Sequence, residues 1–220
     1  MVRMVQGDAG NLAIRAAPEP PTCAGWCGTD CSLWVDARET LLDLFLLIER
    51  NLLEKMAICV ETDIDVIIGM DDTSTTAISP AMFEACNLEL TDKRAQVAHA
   101  AGIPYFHHSC GHIKDLLPLY RRTQMDGVHA FTVPPTGNVT IAEGRELLGD
   151  RVTIFAGIDP NWDRALLRQT AMDAVRVGNV ILGLTAYPNK TMEETRAALD
   201  CVRRALDEAP ATGNNRGSHR

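Results

Sequence analysis

The alternation of short apolar runs with longer helical patterns most constrains what this chain can fold into. Runs rich in β-branched residues are typical of buried strands, and the segments between them have the length and end signals of helices. Repeated β-α units predict parallel strands joined by right-handed crossovers. The predicted strands are Val2–Val5, Asp65–Met70, Pro104–His108, Gly127–Thr132, Val152–Ala156 and Asn179–Leu184, and the predicted helices are Arg38–Val60, Thr91–Ala101, Lys114–Gln124, Ala142–Leu148, Asp163–Ala174 and Met192–Asp207.

Composition and charge exclude several classes of protein. The 220 residues are 46% hydrophobic, which fits a globular α/β domain, and no apolar stretch approaches the roughly 18 residues of a membrane span. A formal charge of -8 argues against nucleic acid or an anionic membrane as the main partner. We therefore expect a single domain over residues 1–208, a disordered tail over residues 209–220, and a cytoplasmic location, since no apolar leader precedes the domain.

The cysteines do not form the pattern of a disulfide scaffold. Their number is seven, and we expect them to be reduced in the cytosol. Cys23, Cys27 and Cys31 have three residues between neighbours. Zinc sites with such spacing usually include a second pair or nearby histidines, which this segment lacks. We therefore predict a loop of small residues there rather than a metal site.

Polar side chains that could support chemistry follow the predicted strands. Asp71 and Asp72 come after the second strand, His107 to Cys110 end the third, and Asp159 comes after the fifth. The carboxyl ends of parallel strands are where such folds gather their binding sites. This placement favours an enzyme without indicating its reaction.

His108 and Cys110 are the strongest candidates for a metal site. Side chains two positions apart in a strand point the same way, and an imidazole with a thiolate suits zinc. The alternative is a buried histidine and a small apolar cysteine at the end of a strand. The other candidates have similar alternatives, since one of the adjacent carboxylates Asp71 and Asp72 could cap a helix and His129 could be a hydrogen-bonded core residue.

The stretch from about Asp65 to Ala205 resembles the uroporphyrinogen decarboxylase superfamily. The motifs that carry this resemblance are Asp71-Asp72 followed by Ile78-Ser79-Pro80-x-x-Phe83, then Ala100-Ala101-Gly102, His108-x-Cys110-Gly111, Leu147-Leu148-Gly149-Asp150, Gly157-Ile158-Asp159-Pro160, and Gly183 to Pro188. The resemblance implies a TIM-type (β/α)8 barrel with its site at the C-terminal mouth. The His-x-Cys-Gly element is similar to that of the methyltransferase branch, in which zinc activates a thiol that accepts a methyl group from a corrinoid protein.

Carried over to this chain, the resemblance implies specific roles. His108 and Cys110 would bind zinc, Asp72 would position the substrate or handle a proton, and Asp71 and Asp159 would line the substrate pocket. The last strand offers Leu184 where the family has a cysteine or histidine ligand. The third ligand is therefore assigned to His129, with Asp72 and Glu61 as alternatives.

Two other functions are compatible with the same fold. One is a decarboxylase of porphyrin metabolism that uses Asp72 and no metal, although the arginines that hold the substrate carboxylates in the family have no counterpart here. The other is a catalytically silent barrel that binds a small molecule or a partner chain, for which Leu184 is the motivating residue.

The chain is short for a complete barrel. A (β/α)8 domain needs about 250 residues, and the six predicted strands align with the third to the eighth of the family. We therefore expect an incomplete barrel that lacks the first two β-α units. Its exposed edges would be covered by a second copy in a homo-oligomer, or the chain would be a truncated gene product.

Overall fold

Seven parallel strands form one sheet in the computed structural model, which describes residues 2–4, 15–16, 34–62, 64–71, 73–184 and 190–209. The strands are β1 (Val2–Met4), β2 (Arg15–Ala16), β3 (Ile67–Gly69), β4 (Tyr105–His108), β5 (Gly127–Phe131), β6 (Thr153–Ile158) and β7 (Val180–Leu184). Their order across the sheet is β1-β7-β6-β5-β4-β3-β2, and every pair is parallel, as the sequence predicts.

The strand order is that of a TIM-type barrel that is not closed within the described residues. From β2 to β7, each strand pairs with the next one along the chain, and β1 then pairs with β7. The sequential strands β1 and β2 are therefore the two outer edges of the sheet. The predicted count of six strands is one too low, because the two residues of β2 are too few to give an alternating pattern.

Helices connect successive strands. They are α1 (Arg38–Cys59), α2 (Pro80–Met82), α3 (Leu88–Ala100), α4 (Leu117–Tyr120), α5 (Ile141–Leu148), α6 (Arg164–Val177) and α7 (Met192–Glu208), with a π-helical turn at Phe83–Asn87 and a 3-10 turn at Lys114–Leu116. Capping boxes formed by Thr140 with Glu143 and by Thr191 with Glu194 begin α5 and α7. The helix predicted over Lys114–Gln124 is shorter in the structure, where only Leu117–Tyr120 is α-helical. None of the described helices has the length and apolar content needed to cross a membrane.

The core lies between the sheet and the helices. In β6 the side chains of Ile154, Ala156 and Ile158 are buried, while the alternate residues Thr153, Phe155 and Gly157 are partly exposed. The buried set packs in one apolar cluster with the inner faces of α6 and α7, which includes Leu167, Ala171, Ala174, Ala198 and Val202. The opposite face of the central strands therefore remains open for a site.

Candidate functional site

A pocket of about 330 Å³ lies at the carboxyl ends of β4, β5 and β6. Its volume falls in the range of small-molecule sites. The lining residues are His108, Cys110, Gly111, Ala130, Thr132, Thr136, Gly157, Asp159 and Trp162. Since the carboxyl ends of parallel strands meet at one edge of the sheet, residues far apart in sequence come together here.

The end of β4 divides its side chains between two environments. His108 and Cys110 are half-buried and line the pocket, whereas His107 and Ser109 are fully buried. This alternation is the two-residue period of a strand continued one step past its end. His108 and Cys110 therefore line one pocket, and their role as metal ligands stays a prediction.

The register of β4 and β5 places His129 directly beside His108, and a β-bulge follows His129 in β5. The pairing of β5 with β6 shifts between His129 and Phe131, and Ala130 between them has a φ of 61°, in the left-handed region. The extra residue lets Phe131 return to the helix side, where its ring contacts the position of Gly144 in α5. Bulges that re-aim side chains in this way are frequent next to binding sites.

His108 and His129 form a close imidazole pair. Their Nδ1 atoms are 2.9 Å apart, which is a hydrogen bond in which one ring donates and the other accepts. Burial, together with the neighbouring His108, lowers the pKa of His129 to about 4. His129 is therefore a neutral imidazole at neutral pH, which is the form that accepts hydrogen bonds or binds metal.

Asp159 and Trp162 reach the pocket from a turn directly after β6. The Asp159 Oδ1 atom accepts hydrogen bonds from the Asn161 backbone N–H at 2.7 Å and from Asn161 Nδ2 at 2.8 Å. The Trp162 backbone N–H donates to the carbonyl oxygen of Asp159 at 3.1 Å. These contacts form a turn at Asp159-Pro160 that orients a carboxylate lining the pocket.

Asp71 lies in a buried ionic cluster rather than in the pocket. Its carboxylate pairs with the Arg94 guanidinium, whose Nε lies 2.9 Å from Oε1 and 3.0 Å from Oε2 of Glu49. All three side chains are buried. Burial lowers the pKa of Arg94, but the carboxylates of Asp71 and Glu49 outweigh this effect and hold the pKa above its usual range. Arg94 is therefore a permanent cation that balances buried carboxylates.

The ionic cluster continues into a chain of buried hydroxyls behind β4. His107 Nδ1 lies 3.4 Å from Asp71 Oδ2, and His107 Nε2 lies 2.7 Å from Thr73 Oγ1. The Tyr120 hydroxyl is 2.7 Å from Thr73 Oγ1 and 2.8 Å from Ser109 Oγ. We call the chain Asp71, His107, Thr73, Tyr120 and Ser109 the buried network. The buried network lies on the buried side of the end of β4, opposite the side on which His108 and Cys110 line the pocket.

The structure places the other predicted site residues in different ways. Asp72, predicted to be catalytic, and the loop of Cys23, Cys27 and Cys31 lie outside the described residues. Glu61 is exposed just after α1, and Leu184 is 43% exposed at the end of β7. Among the described residues, no three histidine, cysteine or acidic side chains form a group that could hold a metal ion.

His108 and Cys110 nevertheless fit zinc in ligand type. An imidazole and a thiol line the same half-buried pocket, and the imidazole of His129 contacts His108. Zinc sites in proteins use these two ligand types, and a ligating histidine commonly has a hydrogen-bonding partner on its other ring nitrogen. Among the described residues, His108 and Cys110 are thus two candidate ligands, and His129 is a candidate hydrogen-bonding partner of His108.

Sequence reasoning missed Trp162, Glu49 and Arg94. Trp162 has no partner in any sequence motif, and only its position three residues after Asp159 could have placed it at the strand end. Glu49 and Arg94 belong to separate helices whose pairing is not visible in a single sequence. The sequence signal that could have identified Glu49 and Arg94 is a charged residue on the apolar face of a helix, because such a residue requires a buried partner.

A parallel sheet with sequential strand order, helices along one face and a pocket at the carboxyl ends of its strands defines an α/β protein of the TIM-barrel type. The profile of the uroporphyrinogen decarboxylase (URO-D) family matches residues 31–205, and the chain belongs to this family. The resemblance inferred from the motifs is confirmed.

Two solved structures are similar to this chain, and the first of them supports the fold. A methyltransferase from Methanosarcina mazei has a TM-score of 0.56 and 18% sequence identity, over 72% of this chain and 49% of the other. The chain thus spans about half the length of that methyltransferase. The citrate synthase SbnG has a TM-score of 0.46 and 11% identity, over 70% of this chain and 69% of the other. No curated protein sequence matches the chain.

Proposed function

We propose that this protein is a zinc-dependent methyltransferase that moves a methyl group between a corrinoid protein and a thiol or similar acceptor. The observation that carries the proposal is the convergence of His108 and Cys110 on one pocket at the carboxyl ends of the strands. Membership of the uroporphyrinogen decarboxylase family and the shared fold with a methyltransferase support it. His108 and Cys110 would hold the metal.

The roles of the chain's own residues follow from the pocket geometry. A zinc ion in this pocket would lower the pKa of a bound thiol, so that the thiolate is present at neutral pH. His129 would fix the ring orientation of His108 through the Nδ1 contact of 2.9 Å. Asp159 would orient the acceptor from the turn after β6, and Asp72 is kept as the residue that positions the substrate or handles a proton. The transfer would break the carbon–cobalt bond with its electron pair left on cobalt, while the thiolate supplies the pair for the new carbon–sulfur bond.

The decarboxylase alternative has less support from the pocket. A uroporphyrinogen carries several carboxylates, and enzymes commonly bind such groups with arginine or lysine side chains. Of the described residues that line the pocket, none is an arginine or a lysine. A neutral or cationic small molecule suits these walls better than a polyanion.

Metal analysis of the full chain tests the proposal. Protein purified without chelators should contain about one zinc per chain, as expected for one catalytic site. Cys110→Ser and His108→Gln should each reduce that content strongly. Cys59→Ser is the matched control, since Cys59 is a half-buried thiol at the end of α1 and does not line the pocket. Wild-type protein that binds no zinc, or Cys110→Ser that binds as much as Cys59→Ser, would contradict the proposal.

A reaction assay addresses the transfer itself. Methylcobalamin and 2-mercaptoethanol are simple substitutes for the corrinoid protein and the acceptor. We expect zinc-dependent loss of the methylcobalamin absorption, with a methyl thioether formed in equal amount. Full zinc occupancy without either change would leave a metal-binding barrel that does not transfer methyl groups.

A further inference from the structure

The walls of the pocket differ in chemical character from one side to another, and several lining residues have no part in the proposed metal site. Trp162 contributes an aromatic ring, and Ala130 and Gly157 contribute small apolar surfaces. Asp159 is the one carboxylate among the described lining residues, and these include no lysine or arginine. The side of the pocket formed after β6 therefore combines an aromatic ring with a negative charge that has no cationic partner of its own among the described residues.

The turn after β6 presents the carboxylate and the ring from one short segment. Both hydrogen bonds from Asn161 go to Asp159 Oδ1, at 2.7 Å and 2.8 Å, so that within the described residues Oδ2 has no hydrogen-bond partner. The contact of 3.1 Å between the Trp162 N–H and the Asp159 carbonyl oxygen closes the turn. Trp162 is half-buried and packs partly against the apolar core, which restrains its ring. The positions of the Asp159 carboxylate and the Trp162 ring are thus fixed by contacts within the protein before any ligand binds.

We infer that this side of the pocket binds an alkylammonium group, so that the small-molecule substrate carries a methylated or otherwise substituted ammonium nitrogen. The face of tryptophan is the best aromatic surface for such a cation, and the attraction grows where water is excluded. The Asp159 carboxylate adds a direct charge interaction at the same wall. A phosphate, sulfonate or carboxylate group would instead meet a like charge here.

Size and net charge agree with this ligand class. The pocket of about 330 Å³ has room for a compact ammonium compound. The formal charge of -8 favours the approach of cations over anions. The inference rests on the proposed function only in identifying this pocket as the substrate site, because ammonium binding itself requires no zinc.

Three probes of nearly equal shape test the inference by calorimetric titration of the full chain. Choline carries a trimethylammonium group, 3,3-dimethylbutan-1-ol replaces its nitrogen with carbon and is neutral, and 3,3-dimethylbutanoate is an anion. We expect choline to bind roughly tenfold more tightly than the neutral alcohol, and the anion to bind most weakly. Equal binding of all three, or tightest binding of the anion, would overturn the inference.

Substitutions test whether Asp159 and Trp162 cause the preference for choline over the neutral alcohol. Asp159→Asn retains the side-chain oxygen that accepts from Asn161 and should bring the affinities for choline and the neutral alcohol together. Trp162→Leu should weaken choline binding roughly tenfold, and Trp162→Phe should weaken it less. Asp163→Asn is the matched control, because it makes the same change in net charge at the exposed N-cap of α6, outside the pocket lining. Unchanged choline preference in Asp159→Asn and in both Trp162 variants would place the binding elsewhere and refute the inference.

The same titrations separate this inference from the proposed function. They are run on the chelator-treated protein and on Cys110→Ser as well as on the wild type. Choline preference that persists in these samples supports the ammonium site even if no methyl transfer is found. Methyl transfer without any choline preference would support the proposed function and reject the ammonium site.

Discussion

The two sides of the β4 strand end differ in what surrounds their polar groups. His107 and Ser109 are fully buried and hydrogen-bonded within the buried network, which continues to the ion pairs of Arg94. His108 and Cys110, on the other side, are half-buried and line a pocket. Buried polar groups with protein partners contribute to a unique packing, whereas partly open groups can bind a ligand. Adjacent residues at the end of β4 therefore have different roles, and mutations on its two sides should have different effects.

The largest effect on stability is expected on the buried side, from Arg94→Met. The substitution keeps much of the side-chain volume but leaves the carboxylates of Glu49 and Asp71 buried without their cation. Removing one partner of a buried ion pair typically lowers the free energy of unfolding by about 3–5 kcal/mol. Urea unfolding followed by circular dichroism measures this change.

The matched control for Arg94→Met is Arg176→Met. Arg176 pairs with Asp173 at 2.9 Å on the exposed surface of α6, and its side chain is 67% exposed. Pairs of this kind contribute at most about 1 kcal/mol. If Arg94→Met were no more destabilising than this control, the buried side would not be the stabilising side of the strand end.

A smaller loss is expected from Tyr120→Phe, which removes one hydroxyl from the middle of the buried network. Thr73 Oγ1 and Ser109 Oγ each lose a contact, of 2.7 Å and 2.8 Å respectively. The expected loss of unfolding free energy is about 1–2 kcal/mol. A double-mutant cycle with Thr73→Val measures the coupling, and strict additivity of the two variants would show that the hydroxyls do not act as a network.

The element pattern of the fold could be predicted from the sequence because it is local. Apolar runs identified six of the seven strands, and Thr140 and Thr191 marked two helix starts through their spacing to a glutamate. The two-residue β2 and the π-helical turn at Phe83–Asn87 depend on tertiary contacts and have no local pattern of their own.

The site could be predicted only as far as strand geometry determines it. The two-residue period placed His108 and Cys110 together, and the position after β6 placed Asp159 in the same pocket. The burial of Asp71 could not be predicted, because it depends on the ion pair with Arg94, which lies in helix α3. The contact of His129 with His108 depends on how β4 and β5 align, and the sequence of neither strand alone determines that alignment.

The smallest effect on stability is expected on the pocket side, from Cys110→Ser in protein freed of metal by a chelator. The thiol lies in a half-open pocket rather than in the apolar core, and the substitution changes one atom. The free energy of unfolding should therefore change by no more than about 0.5 kcal/mol, although zinc binding should be lost. Zinc should stabilise the wild type and leave Cys110→Ser unchanged, because only a ligand that binds the native state raises its stability. If the metal-free variant lost more than about 1 kcal/mol of unfolding free energy, Cys110 would be a structural residue. The contrast between the two sides of β4 would then not hold at Cys110, the residue on which the proposed function most depends.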